Sequence, residues 1–224
     1  MARPLALGVL LSGSGTNLQA LIDAIAARAL DARIGVVVSN QAAAGGLARA
    51  RTHGIPSVVV PHGDFPSRAA FDTRLVEVLH AHGVELVVLA GFMRLVTPVL
   101  LGAFPARVLN IHPALLPSFP GLHAERQALE HGARVTGVTV HFVDEHADHG
   151  PIILQIAVPI LPDDDEERLH LRIQRQEHRA YAQAIQWIAE GRVRIDGRHV
   201  VVDGAPIDAD ATLASPGASQ RTSS

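Results

Sequence analysis

Two polar side chains stand near the end of an apolar run at residues 107–112. Asn110 and His112 are separated by a single residue. Successive residues of a β-strand point to opposite faces, so these two side chains share one face at the end of a strand. Pro113 and Pro117 end the strand and stiffen the chain that follows. An amide and an imidazole on such a support could donate hydrogen bonds to a reacting oxygen, although the spacing alone fits an ordinary core amide and imidazole equally well.

A second polar cluster lies at residues 144–151 and could return over the same end of the sheet. A carboxylate placed against His112 would favour the charged imidazolium and hold it as a proton donor. His146, Asp148 and His149 are also suitable metal ligands, but adjacent loop positions rarely all converge on one ion. We therefore expect no metal, and we interpret the loop as solvated with incidental histidines, Asp148 being the exception.

The glycine-rich segment at residues 12–17 is a candidate anion site. It leaves an apolar strand and opens a helix, where backbone N–H groups are unpaired and the helix dipole is positive. Gly15 permits close approach, and Thr16 and Asn17 add side-chain donors. Leu18 stands where a dinucleotide fingerprint has its third glycine, no acidic residue ends the second strand, and the loop has no lysine for a nucleoside triphosphate. A phosphate monoester fits better, and a plain strand–helix turn remains the alternative.

The elements that must position these groups alternate along the first half of the chain. The hydrophobic pattern predicts strands at 5–11, 33–39, 57–60, 84–90 and 107–112, and helices at 18–30, 42–52, 67–80 and from Pro98 onward. Ser67 and Thr97 are the predicted N-caps of the last two of these helices. It then predicts a helix at 124–131, paired strands at 136–143 and 152–160, a helix to about 190 behind Asp163-Asp164-Asp165, and a hairpin at 193–202 turning at Asp196-Gly197. This order indicates an α/β fold, with a doubly wound, mostly parallel sheet that becomes antiparallel toward the C-terminus.

Composition narrows the function classes. The 224 residues are 48% hydrophobic with a net charge of −3, which argues against nucleic-acid binding. The absence of cysteine excludes disulfides and thiolate chemistry. No apolar run approaches the ~20 residues of a membrane span, and residues 5–11 read as a buried strand rather than a signal peptide, so we expect no membrane partner and a cytoplasmic location. We expect one domain at 1–204, a nucleotide-binding part at about 1–110 and a catalytic part at about 111–204, followed by a disordered tail at 205–224.

Several motifs together resemble a known family. They are LSGSGTNLQA at 11–20, AGFMR at 90–94, LNIHP at 109–113, PGLH at 120–123, HFV at 141–143, Asp148 and QEH at 176–178. In this order and over about residues 5–202, the chain resembles the folate-dependent phosphoribosylglycinamide formyltransferase family. Each motif alone is weak, but the ordered set is specific.

The resemblance implies a Rossmann-like formyltransferase fold and a formyl transfer from 10-formyltetrahydrofolate, as co-substrate, to glycinamide ribonucleotide in purine biosynthesis. It implies a catalytic trio of Asn110, His112 and Asp148. It implies ribonucleotide binding by Gly15, Thr16, Asn17 and Glu177, and folate binding by Arg68, Met93, Arg94, Leu95, Val96, Asn110 and Asp144. It also implies a cis peptide before Pro117, small-molecule partners only, and a monomer or homodimer.

Two positions depart from the family pattern. His149 stands where the family usually has a glycine, which puts the conformation of the folate loop at issue because a Cβ restricts positive φ. Ser118-Phe119 stands where a Lys-Tyr pair is common, which could alter the rim of the substrate site.

Three other functions remain open at this point. A methionyl-tRNA formyltransferase would share the folate half but normally carries a further C-terminal domain for tRNA, which we do not expect here after the short hairpin. A formyltetrahydrofolate hydrolase needs no ribonucleotide phosphate site and usually has an added N-terminal domain. A phosphate-binding module would bind without turnover. Under the leading interpretation, we expect Asp148 to keep His112 protonated and to help relay a proton.

Overall fold

The computed structural model describes residues 3–204 and the backbone of Leu213–Ala214. The strands are β1 (Leu5–Leu11), β2 (Ala32–Ser39), β3 (Ser57–Val59), β4 (Leu86–Leu89), β5 (Val108–His112), β6 (Val135–Phe142), β7 (Ile152–Pro159), β8 (Val193–Asp196), β9 (His199–Val202) and β10 (Leu213–Ala214). The helices are α1 (Thr16–Ala26), α2 (Gly45–Thr52), α3 (Arg68–Ala81), α4 (Pro98–Ala103), α5 (Ala124–Glu130) and α6 (Glu166–Ala189).

The main sheet has eight strands in the order β10-β7-β6-β5-β4-β1-β2-β3, and β8 and β9 form a separate hairpin. Strands β1 to β5 are parallel. Strands β6, β7 and β10 join antiparallel to this set. The predicted fold class, parallel first and antiparallel toward the C-terminus, is confirmed. Its consequence for the site is that β1, β4 and β5 present their carboxyl ends at one edge, where open α/β sheets bind ligands.

Both faces of the parallel part are covered, which explains why its strands are apolar throughout. On one face Leu7, Val9 and Leu11 of β1 pack in a cluster that includes residues of α1, α2 and α6. On the other face Leu10 of the same strand packs with Phe71 of α3 and residues of α4. Burial of such side chains contributes roughly 1.5–3 kcal/mol each, so the strand ends are fixed by the core below them.

Helix α3 begins at its predicted cap, whereas α1 and α2 differ from their predicted bounds. Ser67 caps α3, its hydroxyl accepting a hydrogen bond from the Ala70 N–H at 3.1 Å, as the sequence predicted. Helix α1 begins at Thr16 rather than residue 18 and ends at Ala26 rather than 30, because Arg28 takes a φ of +57° and closes the helix. Helix α2 begins at residue 45 rather than 42.

The hairpin turn differs by one residue from its prediction. Asp196 pairs with His199, so the two turn residues are Gly197 and Arg198 instead of Asp196 and Gly197. Gly197 has a φ of +60°, which supplies the left-handed conformation that a tight hairpin turn needs. The shift matters for the site, since it places Arg198 at the tip of the turn.

Of the predicted disordered tail at 205–224, the structure describes Leu213–Ala214, which pair antiparallel with Ile156 and Gln155 of β7. Residues 205–212 and 215–224 lie outside the described residues. The division of residues 1–204 into two functional parts stays a prediction. In the part of the chain that the structure describes, no helix is both long and apolar enough to cross a membrane.

Candidate active site

A cavity of about 940 Å³ opens at the carboxyl ends of β1, β4 and β5. Most of the predicted site residues line it together, namely Gly15, Thr16, Asn17, Met93, Arg94, Leu95, Val96, Asn110, His112, Asp144, Asp148 and Glu177. Arg68 is not among the lining residues; it is exposed in the first turn of α3. The structure therefore assembles the predicted set in one cavity, with Arg68 as the exception.

The end of β5 is held by the long helix α6. The buried Tyr181 hydroxyl lies 2.8 Å from the Leu89 carbonyl of β4 and 3.1 Å from the Leu109 carbonyl of β5. Its burial raises the Tyr181 pKa well above the ordinary value, so this hydroxyl remains a hydrogen-bond donor. Two strand ends are thereby tied to one helix directly below the cavity.

The segment after β5 is held by the antiparallel strands. The Thr139 hydroxyl donates to the Ala114 carbonyl at 2.7 Å and accepts from the Leu116 N–H at 3.0 Å. The Gln155 amide donates to the Leu116 carbonyl at 2.9 Å. The peptide bond between Leu116 and Pro117 is cis, as the resemblance implied. The chain beyond His112 is thus fixed on the side away from the cavity.

His112 is buried and oriented at both ring nitrogens. Nε2 lies 2.8 Å from the Phe119 carbonyl, an acceptor, so this nitrogen carries a hydrogen. Nδ1 faces Asp148 Oδ2 at 3.6 Å. A second proton on Nδ1 would be placed between the imidazole and the carboxylate, which is the arrangement that a proton donor needs.

Ser118-Phe119, which differs from the family pattern, contributes to the site through the Phe119 backbone carbonyl. Phe119 has a φ of +53°, and its ring packs edge-on against His131 with the centroids 5.9 Å apart. Neither Ser118 nor Phe119 lines the cavity. Position 119 therefore supplies a carbonyl to His112 rather than a side chain to the rim of the site.

Asp148 is held in a strained backbone conformation that points its carboxylate at Asn110 and His112. Its φ is +51°, a left-handed value that costs an L-residue roughly 1–2 kcal/mol. The Gly121 N–H donates to Oδ2 at 2.8 Å, and the Asn110 amide donates to Oδ1 at 3.4 Å. Since His112 faces the same carboxylate, the three predicted catalytic side chains meet at Asp148.

His141 contacts the trio and was not predicted as a site residue. Its Nδ1 lies 2.8 Å from the Phe142 carbonyl, so Nδ1 carries the hydrogen and Nε2 accepts from the Asn110 amide at 3.3 Å. Nε2 also lies 3.9 Å from Asp148 Oδ1. Burial, chiefly, lowers the pKa of His141, which keeps the ring neutral and able to accept. His141 thus fixes which way the Asn110 amide points.

The glycine loop is anchored to the segment that follows β4. The Ser12 hydroxyl donates to Asn40 Oδ1 at 2.7 Å and accepts from the Met93 N–H at 2.9 Å. Gly15 has a φ of +74°, and a Cβ there would lie 2.5 Å from the Gly46 backbone. A glycine is therefore required where the loop turns into α1.

Asn17 and Glu177 meet at this end of the cavity. Asn17 Nδ2 donates to Glu177 Oε2 at 3.4 Å, while the buried Asn17 Oδ1 has no partner among the described residues. Burial, with the neighbouring Glu125 carboxylate, raises the pKa of Glu177 to about 7. An unpartnered buried acceptor and a carboxyl near neutrality are groups that a polar ligand would satisfy.

Residues 93–96, between β4 and α4, form one wall of the cavity. Arg94 lies over the Phe71 ring, with Cζ 5.3 Å from the centroid, and its buried Nε has no partner among the described residues. Thr97 follows this segment, and its N–H and hydroxyl both donate to the buried Asp72, at 2.6 and 2.7 Å. The predicted capping of α4 by the Thr97 hydroxyl is therefore wrong, because the hydroxyl binds Asp72 and fixes the end of the wall.

The loop at 144–150 resolves the question that His149 raised. Asp148, not His149, takes the positive φ among the described residues of this loop. His149 Nδ1 pairs with Asp144 Oδ2 at 2.8 Å, and Arg198 donates to the His149 carbonyl at 2.6 Å. A Cβ at Gly150 would overlap the Phe142 carbonyl, so the glycine is needed one position later.

The same loop brings together groups that could hold a metal. One ligand atom each from Asp144, His146 and His149 lies within 4.8 Å of the others. Of the three ligands weighed from the sequence, His146 and His149 belong to this group, and Asp144 takes the place of Asp148. Asp144 is already engaged by the His149 ring and by the His146 N–H at 2.9 Å, which holds its pKa below the usual range despite partial burial. The expectation of no metal stays a prediction.

Comparison with known proteins gives a consistent result. The model of the formyl transferase family matches residues 6–185. The phosphoribosylglycinamide formyltransferase of Escherichia coli K12 is 44% identical over 196 residues, covering 88% of this chain and 92% of that protein. The trifunctional purine biosynthetic protein adenosine-3 of Drosophila pseudoobscura pseudoobscura is 52% identical over 188 residues, which are 83% of this chain but only 14% of that much longer protein.

Solved structures agree in fold. A glycinamide ribonucleotide transformylase from Symbiobacterium toebii matches with a TM-score of 0.88 at 54% identity, over 89% of this chain and 94% of that one. A formyltetrahydrofolate deformylase from Pseudomonas syringae matches with a TM-score of 0.83 at 28% identity, over 90% of this chain and 66% of that one. The fold is therefore shared by relatives with two different activities.

Proposed function

The chain belongs to the formyl transferase family, and on that premise we propose that it transfers the formyl group of 10-formyltetrahydrofolate to the amine of N1-(5-phosphoribosyl)glycinamide. The products are the N-formyl ribonucleotide and tetrahydrofolate, a step of purine biosynthesis. The observation that carries the proposal is one cavity lined both by an anion-type glycine loop and by the Asn110, His112 and Asp148 cluster. A phosphate monoester and a reacting carbonyl thereby find complementary groups at its two ends.

The ribonucleotide is assigned to the glycine-loop end. Gly15, Thr16 and Asn17 open α1 at the edge of the cavity, where helix N–H groups and the dipole favour a phosphate. Glu177 lies beside Asn17 and would contact the same substrate. The free Asn17 Oδ1 is an acceptor for a hydroxyl or amine of the ligand.

The folate is assigned to the opposite wall. Met93, Leu95 and Leu122 are apolar side chains that remain more than half exposed beside the cavity, at 66%, 57% and 68%. Exposed apolar groups that line a cavity are typical of a site for a flat aromatic ligand. Asp144 and the rest of the 144–148 loop would cover that ligand.

The chemistry requires an acceptor for negative charge and a proton for the leaving nitrogen. The substrate amine attacks the formyl carbon, forming a C–N bond and placing charge on the formyl oxygen. The Asn110 amide and the Nδ1–H of protonated His112 lie 3.4 and 3.6 Å from Asp148, long enough for both donors to be shared with the formyl oxygen. Donors of this kind are worth on the order of 10²–10³ in rate. The bond from the formyl carbon to the folate nitrogen then breaks as His112 gives that nitrogen its proton. The proton that the amine loses passes through water to Asp148, which returns His112 to its protonated form.

The decisive assay mixes the purified protein with glycinamide ribonucleotide and 10-formyltetrahydrofolate and follows tetrahydrofolate release. We expect release that requires the ribonucleotide and that is abolished in His112→Ala. Folded protein that releases no tetrahydrofolate would overturn the proposal.

Hydrolysis of 10-formyltetrahydrofolate is the second candidate, because the deformylase of Pseudomonas syringae shares the fold. Water would replace the amine, and the glycine loop would have no role in binding substrate. Release of tetrahydrofolate at the same rate without the ribonucleotide would favour it. A cytoplasmic location, a monomeric or homodimeric state, and the absence of other partners remain predictions.

A further inference from the structure

A chain of side chains connects α5 to the glycine loop across α6. His170 Nδ1 lies 2.8 Å from Glu125 Oε1, and His170 Nε2 lies 3.3 Å from the Gln174 amide nitrogen. The same amide nitrogen lies 3.3 Å from the Thr16 hydroxyl. All four residues line the cavity. An imidazole is therefore one amide away from the loop to which we assign the phosphate.

The glycine-loop end of the cavity carries several acidic groups, so a cation there would favour the binding of an anion. The carboxylates of Glu125, Glu166, Glu167 and Glu177 line the cavity here. Glu166 is paired with Arg126 at 3.0 Å, and His123 and His170 are the histidines that line the cavity beside these carboxylates. His123 is 64% exposed and faces Glu166 at 4.0 Å. A phosphate dianion entering this end would meet these carboxylates. Arg49 of α2, whose Nε donates to the Ser14 carbonyl at 2.9 Å, offers a fixed positive charge beside the glycine loop, and a protonated His170 would add a second from the α6 side.

A neutral His170 would satisfy both of its contacts, with Glu125 and with Gln174. Nδ1–H donates to the buried Glu125 carboxylate, and the Nε2 lone pair accepts from the Gln174 amide. A proton added to Nε2 would turn that acceptor into a donor and would oblige Gln174 to turn its amide away. Gln174 and Nε2–H would then both be available to an anion beside Thr16.

We propose that His170, held by Glu125, is a phosphate-binding residue that takes up a proton when a phosphate monoester occupies the glycine loop. The identity of the ligand rests on the proposed function, whereas the argument from the charges of the site does not. Glu125 acts as a positioning residue, since its carboxylate orients the ring and balances the added charge. Charge-assisted hydrogen bonds of this kind strengthen binding by about 10-fold or more.

Calorimetric titration tests the proposal at pH 7.5, where a free imidazole is mostly neutral. Ribose 5-phosphate and glycinamide ribonucleotide are titrated separately in two buffers of different ionisation enthalpy, which reports the protons taken up. We expect uptake in the unmodified protein, and in His170→Gln we expect less uptake and about 10-fold weaker binding. Glu177 can also exchange a proton, but it is present in both proteins, so the difference measures His170.

Two further variants guard against a structural explanation. His170→Lys places a permanent cation at the same position, so binding should recover while the uptake stays low. Arg179→Gln removes a cation from the same helix, outside the cavity, and should change neither quantity. Equal affinity and equal proton uptake in His170→Gln and the unmodified protein would overturn the proposal, as would failure of His170→Lys to bind better than His170→Gln.

The failure of this inference and that of the proposed function are separable. If the protein transfers formyl groups but His170→Gln leaves the KM for the ribonucleotide unchanged, the function stands and the inference is wrong. If no transfer occurs yet ribose 5-phosphate binds with the expected linkage, the phosphate site stands and the formyl transfer is wrong. In the expected case, His170→Gln raises the KM for the ribonucleotide and leaves kcat and the KM for the folate unchanged.

Discussion

At the Asn110 end of the cavity the polar groups are held by partners inside the protein, whereas at the glycine-loop end several lack them or repel one another. Asp148 contacts Asn110 and the Gly121 N–H and faces His112, and His112 and His141 each have a carbonyl partner. At the other end Asn17 Oδ1 is unpartnered in the described structure and Glu177 resists ionisation.

This difference indicates two tasks. Groups that stabilise a transition state must be oriented before the substrate arrives, because reorientation during the reaction would cost part of their effect. Groups that bind a charged ligand can remain incompletely satisfied until the ligand completes their hydrogen bonds. We therefore expect changes at the Asn110 end to act on kcat and changes at the glycine-loop end to act on binding and on stability.

Among the variants that separate the two ends of the cavity, Asn110→Ala is expected to have the largest effect. Loss of one preorganised donor to the oxyanion should lower kcat by about 10²–10³-fold. Because the glycine loop is untouched, the affinity for ribose 5-phosphate should be unchanged, as calorimetry can verify. A large loss of phosphate affinity in this variant would show that the two ends are not separate.

The next effect concerns His141→Phe, which keeps a ring of similar size but removes both nitrogens. The Asn110 amide would lose the acceptor that orients it, and we expect kcat to fall about 10- to 100-fold with both KM values preserved. His141→Gln can still accept from Asn110 and should recover part of kcat. If His141→Gln were as impaired as His141→Phe, the orienting role would be refuted.

At the glycine-loop end, Glu177→Gln should stabilise the protein at pH 8. The folded-state pKa of Glu177 is about 7 against an ordinary value of 4.5, so the folded protein holds this proton more tightly than the unfolded chain. The stability linked to it is complete below about pH 4.5 and is lost as the pH rises toward 7. Removing the ionisable group should therefore add about 2–3 kcal/mol to the free energy of unfolding at pH 8.

At pH 5 the same substitution should change the unfolding free energy little, because Glu177 is then mostly protonated. Denaturant titrations at the two pH values measure the difference. Glu167→Gln, an exposed carboxyl on the same helix, serves as the control without a pH-dependent gain. A gain for Glu177→Gln that was equal at both pH values would contradict the buried-carboxyl account.

The smallest effect is expected from His149→Ala. The contact between the His149 ring and Asp144 is half exposed, so its loss should cost at most about 1 kcal/mol in stability. The loop would be held less firmly, and the KM for the folate should rise a few-fold while kcat stays within two-fold. A severe loss of kcat would mean that His149 takes part in the chemistry.

Sequence reasoning found the features that depend on local patterns. The shared face of Asn110 and His112 follows from strand periodicity, and the Ser67 cap follows from residue type. Predicting the catalytic trio required the family motifs, because residues 110 and 148 are brought together by the pairing of β5 with β6. Long-range pairing is not encoded in local periodicity.

The features that sequence reasoning missed share one cause. Glu125 and His170 are 45 positions apart, and their contact depends on how α5 packs against α6. His141 was part of a quoted motif, but its role depends on which ring nitrogen faces Asn110. The spacing of His170 and Gln174, four apart on a helix, was the one available signal that both point the same way.

The central claim is that groups at one end of the cavity pass a formyl carbon to a ligand bound at the other. A single turnover with isotopically labelled formyl folate tests it most directly, with protein in excess and glycinamide ribonucleotide either present or absent. The account requires the label to appear in the ribonucleotide, with little formate and almost no reaction when the ribonucleotide is withheld. Label recovered as formate at the same rate in both mixtures would contradict it.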